Sequence, residues 1–461
     1  MKVKIQNLGA VKAAEIELKP LTVFVGENGT GKTWSAYALA SIFNRDMLDI
    51  YTQDLSNNSR EDLFPVLDDL INSIINDQSP KFDIVEFVEK NLGEYLNDLG
   101  AFCPVWLGGI LNTSKEVFKD VKFKFSPSEN DIDFLVKALN SAYFEGSAPL
   151  SNNEADCKLL FSKKSSDDFI LFHSKKPKYS FNKKSQIDIR QRVLDCILRL
   201  IHIGLFQDVF VLPTERSLFT SLFRLNDNNT EISASLNSSA QNRHFLTRST
   251  VGQFVLQIRS FSKEEQAERI HALKNNQDIE RIANLSKVLE SEILLGSVGI
   301  DESNQNQLLV FKFEDDQSIE LMGASSMVKE LSSLVLYLRF FAKPYDLIVI
   351  DEPEMNLHPA AQVEIAEFLA MLVNAGLNLI ITTHSPYIVD HLSNLMIAHG
   401  REDKAELTKK LYLENEDAFI SPEKVSVYLF EDGTAKSILE DDGIIEWSTF
   451  SNVSDDIGNF L

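Results

Sequence analysis

The segment Gly26-Glu27-Asn28-Gly29-Thr30-Gly31-Lys32-Thr33 has the spacing GxxxxGKT, and the chemistry that spacing serves is the holding of linked phosphates. Its glycines let backbone N–H groups turn inward, and the helix N-terminus that follows adds the positive end of a dipole. In such a loop Lys32 reaches the β and γ phosphates, and the Thr33 hydroxyl ligates magnesium. The plain alternative is an ordinary glycine-rich turn. Context argues against it, because the apolar run Leu21 to Val25 precedes the loop and helical spacing from Trp34 to Phe43 follows.

Two further segments carry groups that act on phosphates. The apolar strand Leu347 to Ile350 delivers Asp351 and Glu352 at its C-terminal end, the edge at which ligands gather in open parallel sheets. Asp351 suits a magnesium ion held through water, and Glu352 suits a general base for the attacking water. The next apolar strand, Asn378 to Thr383, ends at His384-Ser385-Pro386. A lone histidine is more often structural; this one sits where an imidazole can hydrogen-bond a γ-phosphate and sense it.

Positioning these groups takes an α/β framework, and 461 residues suffice for roughly three domain-sized units. Residues 1–43 read as the N-terminal part of an ATPase head. Residues 44–205 read as an inserted α+β region, with helical periodicity over Glu61 to Ile75 and Phe82 to Leu99. Strand-like pieces follow at Val121 to Phe125, Lys158 to Phe161 and Phe169 to Phe172. Residues 206–225 return to the head with the strand Val209 to Leu212 and Pro213-Thr214-Glu215-Arg216-Ser217. Residues 226–293 begin with the polar stretch Asn226 to Arg243, expected as a flexible loop, and continue into the helical Ser262 to Leu294. Residues 294–461 complete the head, with a helix at Ser326 to Phe341 and a closing hairpin, Val425 to Phe430 and Thr434 to Leu439, turning at Asp432-Gly433.

Composition limits the partners. Lys and Arg number 45 against 68 Asp and Glu, a net charge of −23, so most of the surface repels nucleic acid and anionic lipid. A positive patch is expected only around Lys163, Lys164, Lys175, Lys176, Lys178, Lys183 and Lys184, interleaved with Phe169, Phe172, Tyr179 and Phe181. That pattern fits a nucleic-acid surface or, more simply, a solvated edge strand. Cys103, Cys157 and Cys196 form no CxxC pair, and no apolar run reaches the ~18 residues a bilayer requires. The expectation is a cytoplasmic protein with no membrane partner.

These elements, in this order, resemble the ATP-binding-cassette ATPases, in the branch that contains the RecF, SMC and Rad50 proteins and the OLD-type ATPases. The opening KVKIQNLGAVKAAEIELKPLTVFVGENGTGKT resembles that branch's N-terminus, and DEPEMNLHPAAQ resembles its joined Walker B and D-loop. The resemblance implies an ABC-type P-loop head that binds and hydrolyses ATP with Mg2+, places Asn356, Leu357 and His358 in the D-loop, and makes His384 the switch histidine. Its signature is matched loosely by Ala324 to Leu331: Ser325 and Ser326 fall at the γ-phosphate contact and Met327 replaces the second glycine. Pro213-Thr214-Glu215-Arg216 resembles a motif of OLD-like and defence-associated ATPases, with Glu215 and Arg216 expected near the nucleotide edge or in an internal ion pair.

Among relatives of this kind the layout resembles ATPase subunits of bacterial anti-phage systems, the Septu type first and the PARIS type next. That implies a homo-oligomer, a dimer of heads or larger, which senses a phage protein or nucleic acid and controls a separately encoded nuclease. A RecF-like repair ATPase that clamps DNA directly is the main alternative. A self-contained OLD nuclease is disfavoured, because Glu431 and Asp441-Asp442 lack the carboxylate spacing of a Toprim domain.

Overall fold

The computed structural model describes residues 1–57, 65–76, 79–111, 113–149, 158–175, 183–216, 263–301, 308–315 and 317–446. Asn226 to Arg243, Cys157, and Lys176 and Lys178 of the lysine group lie outside them. The chain forms two compact units: Met1–Val3, Ser41–Trp106 and Lys122–Asp208 in the first, and Lys4–Ala40, Leu107–Val121 and Val209–Leu461 in the second.

The second unit is built on a parallel sheet. Strand Leu21–Gly26 lies between Val425–Glu431 and Asn378–Thr383, and beyond the latter follow Leu347–Asp351 and then Val209–Leu212, each parallel to its neighbour. Sheets of this kind are covered on both faces, so their strands read as unbroken apolar runs. Leu21–Gly26 and Leu347–Asp351 are accordingly buried at every residue. The C-terminal hairpin is more than a closure, since its first strand is a central member of the sheet and its second, Thr434–Ser437, pairs with Ala13 and Ala14.

Helices leave the C-terminal edge of this sheet under sequence control. Ser385 accepts the Ile388 N–H at 3.2 Å and Pro386 takes the first turn of the helix Pro386–His399. His358 caps the helix Pro359–Asn374 in the same way, through Nδ1 and the Ala360 N–H. A proline in the first turn costs no hydrogen bond and presets φ. Both helices bury apolar faces in one core with Ile348, Ile350, Leu379 and Ile381.

The first unit holds an antiparallel sheet in the order Lys81–Asp83, Phe169–Lys175, Lys158–Lys163, Phe144–Pro149. It also holds the helices Ile84–Phe102 and Lys183–Leu205. Two expectations are corrected, at Phe82 and at Lys163. Phe82 belongs to a strand rather than a helix, because Asp83 accepts the Glu86 N–H at 2.8 Å and starts the helix after it. The helical stretch expected over Ser262 to Leu294 consists of Lys263–Asn275 and Gln277–Val288, divided where Asn276 caps the second, followed by a widened turn at Leu289–Leu294. Lys163 is not on a basic surface: strand alternation puts it on the inward face with Leu159, 1% exposed, and Phe172 is buried too. Among the described residues no helix is long and apolar enough to cross a membrane.

Candidate phosphate site and strand-edge carboxylates

Four parallel strands of the second unit end at one edge, delivering Gly26, Pro213, Asp351 and Thr383 there in register. Gly26, Gly29 and Gly31 all have positive φ, 137°, 78° and 100°, which turns the loop inward at no side-chain cost. A Cβ on Gly26 would stand 2.4 Å from the Phe430 carbonyl oxygen, so the C-terminal strand sets how closely the loop can pack. Glu27, Asn28 and Gly29 are exposed, and Thr30 and Gly31 are half-buried. Lys32 is buried and donates to the Gly26 and Glu27 carbonyls at 2.8 and 2.7 Å. Burial pushes its ammonium down to about 8, against the upward pull of Glu352 and Asp351.

Asp351, 2% exposed, is held by hydroxyls. Thr33 donates to Oδ1 at 2.9 Å, and Thr382 donates to the same oxygen. Oδ2 accepts from Thr214 at 2.5 Å and Tyr37 at 3.3 Å. Burial and the neighbouring Asp351 raise the Tyr37 phenol well above its ordinary value, so it stays a donor. The sequence reading named Thr33 and missed Thr214, Tyr37 and Thr382, although Thr214 lay inside a motif it had marked.

Glu352 has φ of 50°, a left-handed conformation that costs a residue with a side chain about 1–2 kcal/mol. Its N–H donates to the Thr382 carbonyl at 3.0 Å and to the Thr382 hydroxyl at 3.1 Å. The side chain lies 3.5 Å from His384 Nε2. That hydrogen bond, then the charges of His384, Lys32 and Arg216, lower the Glu352 carboxyl against burial and keep it ionised. Glu354, another residue the sequence reading passed over, accepts the Thr383 hydroxyl at 2.8 Å and the His384 N–H at 2.6 Å. Burial raises its carboxyl.

Arg216 resolves the choice left open for its motif, since it is both at the edge and internally bound. At 2% exposure it donates to the Asp351 carbonyl at 2.6 Å and the Glu352 carbonyl at 3.0 Å, with Nε 3.6 Å from Glu330. Glu215 is exposed. Glu330 belongs to the helix Ser326–Phe340, which the exposed Ser325 caps by accepting the Val328 N–H at 3.3 Å. Ser326 is exposed on the first turn. Asn356, exposed and with φ of 60°, donates to Glu330 at 3.3 Å. Leu357 is buried and His358 serves as a helix cap.

The donor set suits a nucleoside triphosphate and a divalent cation. The glycine loop offers turned backbone and Lys32 a buried cation, while Thr33 and Asp351 bring together a hydroxyl and a carboxylate of the hard oxygen kind magnesium takes. A family profile described as AAA ATPase domain matches residues 1–389. The chain belongs to that family. No curated protein matches this AAA ATPase domain chain. Among solved structures it is similar to an Smc head bound to the C-winged helix domain of ScpA, at 10% identity over 95% of this chain and 96% of that one, TM-score 0.36. It is also similar to an Smc head domain with an extended coiled coil bound to the C-terminal domain of ScpA, from Pyrococcus furiosus, at 13% identity over 99% and 98%, TM-score 0.34. An SMC head domain from Thermotoga maritima matches at 11% identity over 95% and 97%, TM-score 0.30. The fold of the AAA ATPase domain itself stands on the strand order and the loop geometry.

Proposed function

We propose that the chain is an ATPase of ABC type that binds ATP with Mg2+ and uses nucleotide to hold two heads together, as the sensor or scaffold subunit of an anti-phage complex. The observation that carries the ATPase reading is the meeting of Lys32, Thr33, Asp351, Glu352 and His384 at one strand edge, with Glu352 and His384 3.5 Å apart. Lys32 and the glycine loop bind the phosphates, and Thr33 and Asp351 hold the cation, which supplies charge neutralisation when bound. Glu352 takes the proton of the attacking water. His384, its backbone held by Glu354, orients Glu352 and meets the γ-phosphate.

Association of heads is supported by the exposure of Ser325, Ser326 and Asn356, the residues expected to meet a nucleotide on a second copy. The defence role and a separately encoded nuclease partner rest on the resemblance of the motifs. A neighbouring gene for an HNH nuclease would select the Septu-like form, and a Toprim-like gene the PARIS-like form. The acidic chain, net charge −23, favours this reading over a head that clamps DNA directly.

Sedimentation velocity with and without ATP and magnesium tests the switch. Glu352→Gln keeps the shape but cannot accept the proton, so ATP persists and the chain shifts to larger assemblies. Adding Ser325→Arg, with its bulk at the phosphate contact, reverses the shift, because a ligand enclosed between two heads stabilises their association. Identical distributions in all samples would overturn nucleotide-driven association, and equal ATP affinity in Lys32→Ala and wild type would overturn the phosphate site.

A further inference from the structure

We propose that Thr214 and Arg216 are positioning residues for the Asp351–Glu352 pair: the segment after the strand Val209–Leu212 clamps the turn that aims the general base. This deepens the ATPase reading and rests on it.

The argument begins with the turn. Glu352 stands in a left-handed conformation with no glycine to make it easy, so its direction depends on what holds the backbone around it. Thr382 secures the Glu352 N–H from one side. The carbonyls of Asp351 and Glu352, successive along the chain, are both taken by the single guanidinium of Arg216. The planar fork does this with two separate nitrogens, Nη1 on the Asp351 carbonyl and Nη2 on the Glu352 carbonyl, at a fixed spacing that an ammonium, a point charge, does not impose. Thr214, two residues earlier on the same turn, donates to the Asp351 side chain. One short segment therefore fixes the backbone of both acidic residues and the carboxylate of the first.

A purely structural role for Arg216 would need no such aim. Its carboxylate neighbour Glu330 is 3.6 Å away and would serve to balance the buried charge, yet the shortest bonds of the guanidinium go to the two carbonyls of the catalytic turn. Glu330 also accepts from Asn356. The buried pair Arg216 and Glu330 thereby joins the helix capped by Ser325, the loop at Asn356 and the turn at Glu352.

The test uses the full chain. Arg216→Lys keeps the charge and loses the fork, so kcat falls at least tenfold, about 1.4 kcal/mol of transition-state stabilisation, while ATP affinity stays within about twofold of wild type, as expected for a group that acts on the chemical step alone. In a Glu352→Gln background the same substitution costs less than in the wild type, because the part of its effect that passes through Glu352 is already gone. Thr214→Val lowers kcat and Thr214→Ser restores it; this pair carries the test if Arg216→Lys does not fold. Retention of kcat in Arg216→Lys, an equal further loss in the Glu352→Gln background, or failure of Thr214→Ser to restore activity would each overturn the proposal. Absence of turnover in wild type would instead sink the ATPase reading. The clamp is then judged by hydrogen exchange over residues 351–357, where faster exchange confined to that turn in Arg216→Lys supports it and unchanged exchange refutes it.

Discussion

Nucleotide binding should be coupled to a proton through Lys32. The ammonium is buried against the Gly26 and Glu27 carbonyls and lowered to about 8, with burial the cause. Triphosphate placed beside it favours the charged form strongly. The sign follows from linkage. Below pH 8 the lysine is already charged in the free protein and affinity is flat; above it the free protein holds a neutral amine, and binding must take up a proton. At pH 9, one unit above the free-state value, affinity falls by about tenfold, or about 1.4 kcal/mol. As pH rises through and above 8, proton uptake per ATP bound rises toward one.

Calorimetric titrations at pH 7 to 9.5, in pairs of buffers with different ionisation enthalpies, measure both quantities. The buried thiols of Cys103 and Cys196 are pushed upward and stay silent in this window. Lys32→Arg supplies the control, because a guanidinium does not titrate there; whatever its affinity, that affinity is independent of pH. Wild-type affinity that is flat through pH 9.5, or a slope shared by wild type and Lys32→Arg, would refute the reasoning.

Two predictions concern stability. His202 is buried between the Tyr95 hydroxyl at 2.7 Å and the Phe43 carbonyl at 3.1 Å, and burial lowers it to about 4. The unfolded chain therefore binds the proton first as pH falls, and stability present above pH 6.5 is lost between 6.5 and 4, on the order of 3 kcal/mol; urea denaturation at several pH values should show a shallower loss in His202→Gln, and equal slopes would contradict it. Arg269 donates to the Leu338, Arg339 and Ala342 carbonyls at the end of the helix Ser326–Phe340. Arg269→Ala should cost about 3 kcal/mol, read from the denaturation midpoint, and a change under about 0.5 kcal/mol would count against that cap.

The parallel sheet and its C-terminal edge were legible because strands buried on both faces leave unbroken apolar runs, and because Asp351 ends such a run, His384 follows one directly and Lys32 follows one across the loop Glu27 to Gly31. Pairing over long sequence distances was not. Nothing local in Val425 to Phe430 distinguishes a hairpin strand from a central neighbour of Leu21–Gly26, and that neighbour sets the room around Gly26. Helix and strand at Phe82 are told apart only by the cap at Asp83. Lys163 of the lysine group was misplaced because residue type was counted without phase: in a strand, alternate residues face opposite sides, and Lys163 shares the buried side with Leu159.

The contacts that hold Asp351 and Glu352 share a physical property: they run through hydroxyls or to backbone carbonyls. Thr214, Thr382 and Tyr37 give Asp351 its hydrogen bonds, while Arg216 takes the carbonyls behind Glu352. Burying an arginine with a glutamate is a weak source of stability, since desolvation offsets most of the attraction, whereas removing one partner leaves an uncompensated charge. The arrangement makes better sense as control of geometry. A side chain in a left-handed turn relaxes unless its neighbours determine it, and here a threonine carbonyl and hydroxyl on the strand Asn378–Thr383 and a guanidinium beyond the end of the strand Val209–Leu212 do so. Because that guanidinium also faces Glu330, it stands between the helix capped by Ser325 and the turn of Glu352.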